Sequence, residues 1–152
     1  MSTDEMRQLH GQYRTSEDRY TYFLLAAAAA SIGFAVQLTS SSQLSILHAP
    51  LGLAVLAWGF SFFAGCKHIA YVNTNLYANF DYLHIFTGTH PKVGNHPEMI
   101  QAATEGIASA MEKNSTSAVR FARWQFRALI TGAILFLVWH VAGMVARTGA
   151  SI

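Results

Sequence analysis

Two long stretches of this sequence contain no Asp, Glu, Lys or Arg. The first runs for 47 residues from Tyr20 to Cys66, and the second for 19 residues from Ala128 to Ala146. A water-soluble domain needs charge at intervals on its solvated face, whereas the hydrocarbon interior of a bilayer requires the absence of charge. At 52% hydrophobic and 12% charged residues, the chain is too apolar for an ordinary soluble fold. The sequence therefore predicts an integral membrane protein.

Other features that the sequence lacks exclude several classes of function. A single cysteine, Cys66, excludes an intrachain disulfide and gives redox chemistry no support. No run of Lys and Arg forms a polybasic patch, so nucleic acid is not an expected partner. HExxH, GxSxG, GxGxxG and Walker-type motifs are also missing. We expect no enzymatic activity, no catalytic residue and no bound cofactor.

Three apolar segments have the length of about 20 residues that a membrane-spanning helix needs. Two lie within residues 20–66, joined by a short polar turn at residues 40–49, and the third follows much later in the chain. The expected fold is all-α, with three transmembrane helices and an antiparallel helical hairpin that extends the second and third. Its parts are a polar N-terminal segment (1–19), two spans (20–66), the hairpin (67–127), a third span (128–147) and a tail (148–152). We expect residues 1–16 to be mobile.

The distribution of basic residues predicts the orientation. Three Lys or Arg precede the first span, none lies in the turn at 40–49, six lie between Lys67 and Arg127, and one is Arg147. The positive-inside rule then places the N-terminus and the hairpin in the cytoplasm and the C-terminus outside, most simply in a bacterial inner membrane. A cleaved signal peptide is the competing interpretation, but residues 1–19 contain four acidic residues against three Arg.

Helical periodicity continues beyond the second span. An apolar stripe follows it at spacings of three and four: Ile69, Val72, Leu76, Phe80, Leu83 and Phe86. Gly88, Pro91 and Gly94 then predict a turn, and Pro97 suits the first position of a new helix, with Glu98 beside its positive end. The sequence predicts a chain reversal here.

The next helix carries a heptad pattern. One set of residues recurs every seven positions, and a second set follows three positions later: Ile100, Ile107, Asn114 and Phe121, then Ala103, Ala110, Ser117 and Trp124. Small residues dominate this seam, so burying it within one hairpin yields little free energy. We therefore expect self-association through the first set, assisted in the membrane by Gly52 and Gly59. The alternative is a hairpin that packs only on its own chain.

Histidines supply the remaining candidate sites. Gln37, His48 and His140 are predicted at similar depth in the outer leaflet, as a polar cluster that lines a pore or simply hydrogen-bonds neighbouring helices. A haem site is not expected, because His48 is the only second axial ligand on offer. At the hairpin tip, His84, His90, Lys92 and His96 are candidates for docking a partner, and their spacing matches no structural zinc pattern.

The leading function hypothesis is a self-associating inner-membrane protein that forms an oligomeric pore or channel with a cytoplasmic helical collar. Its partners would be further copies of itself and the lipid bilayer. The alternative is a small accessory or anchoring subunit whose hairpin docks a cytoplasmic or membrane protein.

Overall fold

The computed structural model describes residues 3–40, 48–94 and 96–149; at residues 3–7, 9, 10, 13, 14 and 149 it describes the backbone alone. These ranges form three α-helices, which are α1 (Thr3–Thr39), α2 (Ala49–Phe86) and α3 (Pro97–Gly149). Each helix is long enough and apolar enough to cross a membrane. The prediction of an all-α chain with three helices of membrane-spanning length is confirmed.

The polar N-terminal segment is helical from Thr3, and its expected mobility stays a prediction. Hydroxyls along it bond one turn back: Thr15 Oγ1 donates to the carbonyl of Gly11 at 2.9 Å, and Thr21 Oγ1 to that of Glu17 at 3.1 Å. The physical reason is cooperativity, because extending an existing helix adds one hydrogen bond for each residue fixed. The apolar part of α1 thus supplies the nucleus for its polar start.

The chain divides into two compact units. Unit 1 comprises Met1–Gly65 and Trp124–Ile152, and unit 2 comprises Cys66–Arg123, so α2 and α3 contribute to both. The predicted polar turn at 40–49 and the tail at 148–152 lie largely outside the described residues.

In unit 1, small residues make room for one large side chain. Trp58 is buried and its Nε1 donates to the carbonyl of Leu129 at 3.2 Å. Gly132 lies against the indole: a Cβ at this glycine would be 2.5 Å from Trp58 Nε1. Ala35 and Ala54 are fully buried in the same cluster. Close approach of helices at small residues is the usual way in which apolar helices pack tightly.

A buried polar layer lies nearer the other end of unit 1. Gln125 is 1% exposed, and its Nε2 makes a long 3.5 Å hydrogen bond to the carbonyl of Thr21. Ser61 Oγ donates to the backbone carbonyl of Gln125 at 2.8 Å. The amide occupies the space that a side chain at Gly65 would need. These bonds tie α1, α2 and α3 together at one level, which restricts sliding of one helix along another.

Unit 2 consists of the second half of α2, a turn and the first half of α3. His68 Nδ1 lies 2.9 Å from the carbonyl of Ala118, and Tyr71 stacks on Phe121 with ring centroids 5.6 Å apart. These contacts pack the second half of α2 against the first half of α3, which begins eleven residues after α2 ends. Within the turn, Gly88 and Gly94 have φ of 69° and 62°, which glycine adopts without steric strain.

The inward face of α3 differs from the predicted seam. Ala110 and Trp124 are exposed, and the residues that follow each of them in sequence, Met111 and Gln125, are more buried. The second set of inward positions therefore lies four residues after the first: Thr104, Met111, Ala118 and Gln125. The sevenfold spacing placed Trp124 in the seam, but its neighbour Gln125, whose Nε2 donates to the carbonyl of Thr21, takes the interior place.

The apolar stripe predicted on α2 does not face α3 throughout. Ile69 and Val72 are half-buried, whereas the later members of the stripe are exposed: Leu76, Phe80, Leu83 and Phe86. The inward positions are filled instead by a largely polar or aromatic series, which comprises His68, Tyr71, Asn75, Ala78, Tyr82 and Ile85. Periodicity thus identified an apolar face of α2, but helical spacing alone does not tell on which side of the helix its partner lies.

Candidate functional site

An exposed apolar ridge lies on unit 2. Leu76, Phe80 and Leu83 are 40%, 61% and 53% exposed, and their spacing of four and three residues places them on one face of α2. These three residues are called the ridge below. They follow Cys66, the last residue of the charge-free stretch, by 10 to 17 residues, which is about 15 to 25 Å along a helix.

α3 carries a stripe of small residues in the same unit. Ala103 is half-buried, and Gly106 and Ala110 are exposed. A Cβ built on Gly106 meets no atom within 4 Å, so the space beside this glycine is open. These three residues are called the groove below. A backbone without large side chains lets another helix approach closely, as it does at Gly132 inside unit 1.

Two contacts relate the heights of the ridge and the groove: His68 with Ala118, and Tyr71 with Phe121. For an antiparallel pair of helices that rise about 1.5 Å per residue, the first contact would place Phe80 at the height of Gly106, and the second would place it six residues further along α3, about 9 Å away. The ridge and the groove therefore lie within about two turns of each other.

The exposed surface of α3 around the groove is charged, and Lys113, seven residues after Gly106, lies on the same face as the groove. The exposed acidic and basic residues of this part of α3 are Glu98, Glu105, Glu112, Lys113, Arg120 and Arg123. Gln101 Nε2 donates to Glu105 Oε1 at 2.9 Å along this surface. Such residues keep their hydration shells unless they are paired, so this face is suited to water and the ridge is not.

The residues that the heptad pattern nominated for self-association lie elsewhere. All four are half-buried within unit 2: Ile100, Ile107, Asn114 and Phe121. Phe121 is occupied by its stack on Tyr71 of the same chain. In unit 1, Gly52 and Gly59 are exposed, with open space where a Cβ would lie. These two glycines are accessible to a second copy, and their role in association stays a prediction.

Two of the three predicted intramembrane polar residues share a cavity. It has a volume of about 250 Å³ and is lined by His48, Trp139, His140, Gly143, Ala146 and Arg147. The imidazole of His48 lies 6.0 Å from the Trp139 ring, and that of His140 stacks on Phe136 with centroids 6.4 Å apart. Gln37 is exposed on α1 and is not among the lining residues.

The predicted docking residues at the tip of unit 2 partly serve the turn itself. His84 Nδ1 lies 3.2 Å from Thr89 Oγ1, and the backbone N–H of Lys92 donates to His90 Nδ1 at 3.3 Å. The side chains of Lys92 and His96 are exposed. Within the described ranges, no group of three His, Cys, Asp or Glu side chains is arranged to hold a metal ion.

Sequence reasoning missed two features of these sites. It did not assign the ridge to the outside of unit 2, because a stripe of apolar residues carries no mark of the side on which its partner lies. It also left Arg147 out of the polar cluster, although the seven-residue separation from His140 places both side chains near one face of α3.

The chain matches no protein-family model, no curated protein and no solved structure.

Proposed function

We propose that this chain is an integral membrane protein with three spans, and that its copies assemble into a ring through unit 2. In this proposal, unit 2 is an antiparallel hairpin on the cytoplasmic side of a bacterial inner membrane, and the C-terminus is external. The basic residues support that orientation, since nine of ten lie before the first span or between Lys67 and Arg127. The exposed ridge carries the assembly proposal.

Leaving the ridge in water is costly. Fully burying one Leu or Phe side chain contributes about 1.5–3 kcal/mol, and the three ridge residues are between 40% and 61% exposed. In unit 1, exposed apolar side chains would meet lipid, but the ridge lies beyond the charge-free stretch, in the unit whose part of α3 carries exposed charged residues. A protein surface must therefore cover it.

A second copy of the chain fits this surface better than an unrelated partner. All copies share one orientation in a membrane, so residues at the same height in one hairpin are at the same height in its neighbour. The ridge of one copy can then pack into the groove of the next, with Phe80 opposite Gly106. Large side chains that insert between small ones give the close interdigitation that stable helix packing needs.

The contact pairs two different surfaces, which determines the symmetry. Each copy offers its ridge to one neighbour and its groove to another, so the interface is heterologous and closes as a ring when the rotation permits. A ring of hairpins encloses a central path. The more specific form of the proposal is that this path is a pore or channel. Because Trp58 and small residues fill the core of unit 1, the path would lie between protomers.

A disulfide test addresses this contact directly. In a Cys66→Ser background, the double variant Phe80→Cys with Gly106→Cys should form a ladder of covalent oligomers in membranes after mild oxidation. The reason is that close helix packing brings the two Cα atoms to about 6 Å, within disulfide range. Non-reducing electrophoresis reads the ladder.

The matched control pairs Asp81→Cys with Gly106→Cys. Asp81 is exposed and directly follows Phe80, so its side chain points about 100° away around the helix, and this pair should remain monomeric. Monomer alone for the Phe80 and Gly106 pair would contradict self-association and favour the accessory-subunit alternative, in which another protein covers the ridge. Covalent ladders of equal intensity for both cysteine pairs would show that the cross-links arise from random collision.

A further inference from the structure

The cavity lined by His48, His140 and Arg147 has a charge imbalance that the proposed assembly does not explain. The Arg147 guanidinium is cationic at any physiological pH. Its Nε donates to the backbone carbonyl of Gly143 at 3.1 Å, which leaves the terminal amino groups as donors for a ligand. Arg147 also suits the negative end of α3, but that role requires no cavity.

The side-chain carboxylates of unit 1 lie far along the chain from this cavity. The sequence has no Asp or Glu between Arg19 and Phe80, and none after Glu112. Ala35 and Trp139 belong to one packed cluster, which places the cavity near the C-terminal end of α1. Asp18 lies 17 residues before Ala35, about 25 Å along that helix. The positive charge of Arg147 therefore has no acidic side chain of unit 1 beside it.

His48 provides an independent observation that points to a ligand site. Its Nδ1 is buried and, within the part of the chain that the structure describes, has no hydrogen-bond partner. Leaving such an atom unsatisfied costs about 1–3 kcal/mol. His48 also immediately precedes α2, whose first turn contains no acidic residue, so the positive end of that helix faces the same region.

The surrounding side chains select the kind of anion. Arg147 is the first charged residue after the apolar stretch of α3, and His48 precedes the apolar start of α2, so both belong at the level of lipid headgroups if unit 1 lies in a bilayer. Gly143 and Ala146 keep the cavity open, and Trp139 adds an amphipathic wall of the kind enriched at membrane interfaces. A volume of about 250 Å³ accommodates a phosphate with its ester substituents.

We propose that this cavity binds a phosphate-bearing anion, namely the headgroup of an anionic phospholipid, with Arg147, His140 and His48 as its donors. The lipid source, as opposed to the phosphate chemistry, depends on the membrane placement in the proposed function. The site requires no oligomer, since all its lining residues belong to unit 1 of one chain.

The test counts ligands bound to each chain. Purified protein in a neutral detergent is titrated with dihexanoyl phosphatidylglycerol, and native mass spectrometry measures the adducts. The wild type should take one lipid per chain in a saturable manner. Arg147→Gln should weaken binding about 10- to 100-fold, because a charge-assisted hydrogen-bonded contact contributes about 1.5–3 kcal/mol. Gly143→Leu should abolish binding while keeping every charge, because the added side chain fills the cavity.

Arg127→Gln is the matched control, since it removes the same charge at the other end of the apolar stretch of α3, where the guanidinium lies 5.9 Å from the Trp124 ring. It should bind as the wild type does. Dihexanoylglycerol, which lacks the phosphate, should not bind. An excess of inorganic phosphate distinguishes the two sources of the anion. Displacement of the lipid would show that the site binds soluble phosphate, and retention of the lipid would show that it binds the lipid headgroup.

Equal adducts in the wild type, Arg147→Gln and Gly143→Leu would overturn the proposal, as would equal binding of dihexanoylglycerol. Because the assay counts ligands per chain in detergent, its outcome is independent of ring formation. Membrane insertion is measured separately by resistance of the protein to alkaline carbonate extraction. Failure of the anion site and failure of the proposed function are thereby distinguishable.

Discussion

Replacing Phe80 with Glu should convert the assembled protein into monomers. The substitution removes about 2–3 kcal/mol of apolar burial from each contact and places a carboxylate against an apolar surface, so the association constant should fall at least about 100-fold. The fold of one chain should be unaffected, since Phe80 is 61% exposed and Glu is at least as good a helix former. Analytical ultracentrifugation in a mild detergent measures the mass, and circular dichroism the helix content.

Gly106→Leu provides the complementary test from the other surface. Because a Cβ at Gly106 meets no atom of its own chain, the added side chain should stabilise α3 by up to about 1 kcal/mol while blocking the groove. Ala108→Leu is the matched control, as Ala108 is exposed on α3 but lies away from the groove. We expect monomers with Gly106→Leu and assembled protein with Ala108→Leu. Assembled protein in Gly106→Leu and Phe80→Glu would contradict the ridge-and-groove contact.

The second large effect concerns the core of unit 1. Gly132→Leu should destabilise the protein by about 3 kcal/mol, because a Cβ at this position lies 2.5 Å from Trp58 Nε1 and the indole must move. That movement also breaks the hydrogen bond from Trp58 to the carbonyl of Leu129. A lower midpoint of thermal unfolding in detergent, followed by tryptophan fluorescence, measures the loss.

The control for this core substitution is Gly33→Leu. Gly33 is exposed on α1, and no atom lies within 4 Å of the position that a Cβ would occupy there, so the same change should leave the midpoint unchanged or raise it. A similar loss of stability in both variants would mean that any large side chain on these apolar helices is harmful, and that the fit of Trp58 against Gly132 has no special role.

The sequence predicted the elements of this fold better than their faces. Absence of charge and the position of Pro97 were enough to predict three long helices, because solvent and backbone geometry act locally. The direction of the ridge was not predictable, because a stripe at helical spacing is compatible with an intrachain partner and with an external one. Phe80 satisfies the pattern of a core residue, yet it is exposed.

The burial of polar residues in the interior could also not be predicted from the sequence. Gln125 and Trp124 are neighbours, and hydrophobicity alone favours burial of the tryptophan. The structure buries Gln125 because the carbonyl of Thr21 accepts a hydrogen bond from its side-chain amide, and the absence of a side chain at Gly65 gives the amide space. Such a fit depends on three helices at once. The meeting of His48 and His140 in one cavity was more predictable, since both were expected near the same end of the spans.

Particle images of the purified protein in a mild detergent test the central claim most directly. The account predicts rings of several copies with rotational symmetry, in which helical hairpins project from one side of the detergent belt and neighbouring hairpins contact each other through Phe80 and Gly106. Small asymmetric particles of a single chain, with Phe80 open to solvent, would contradict it.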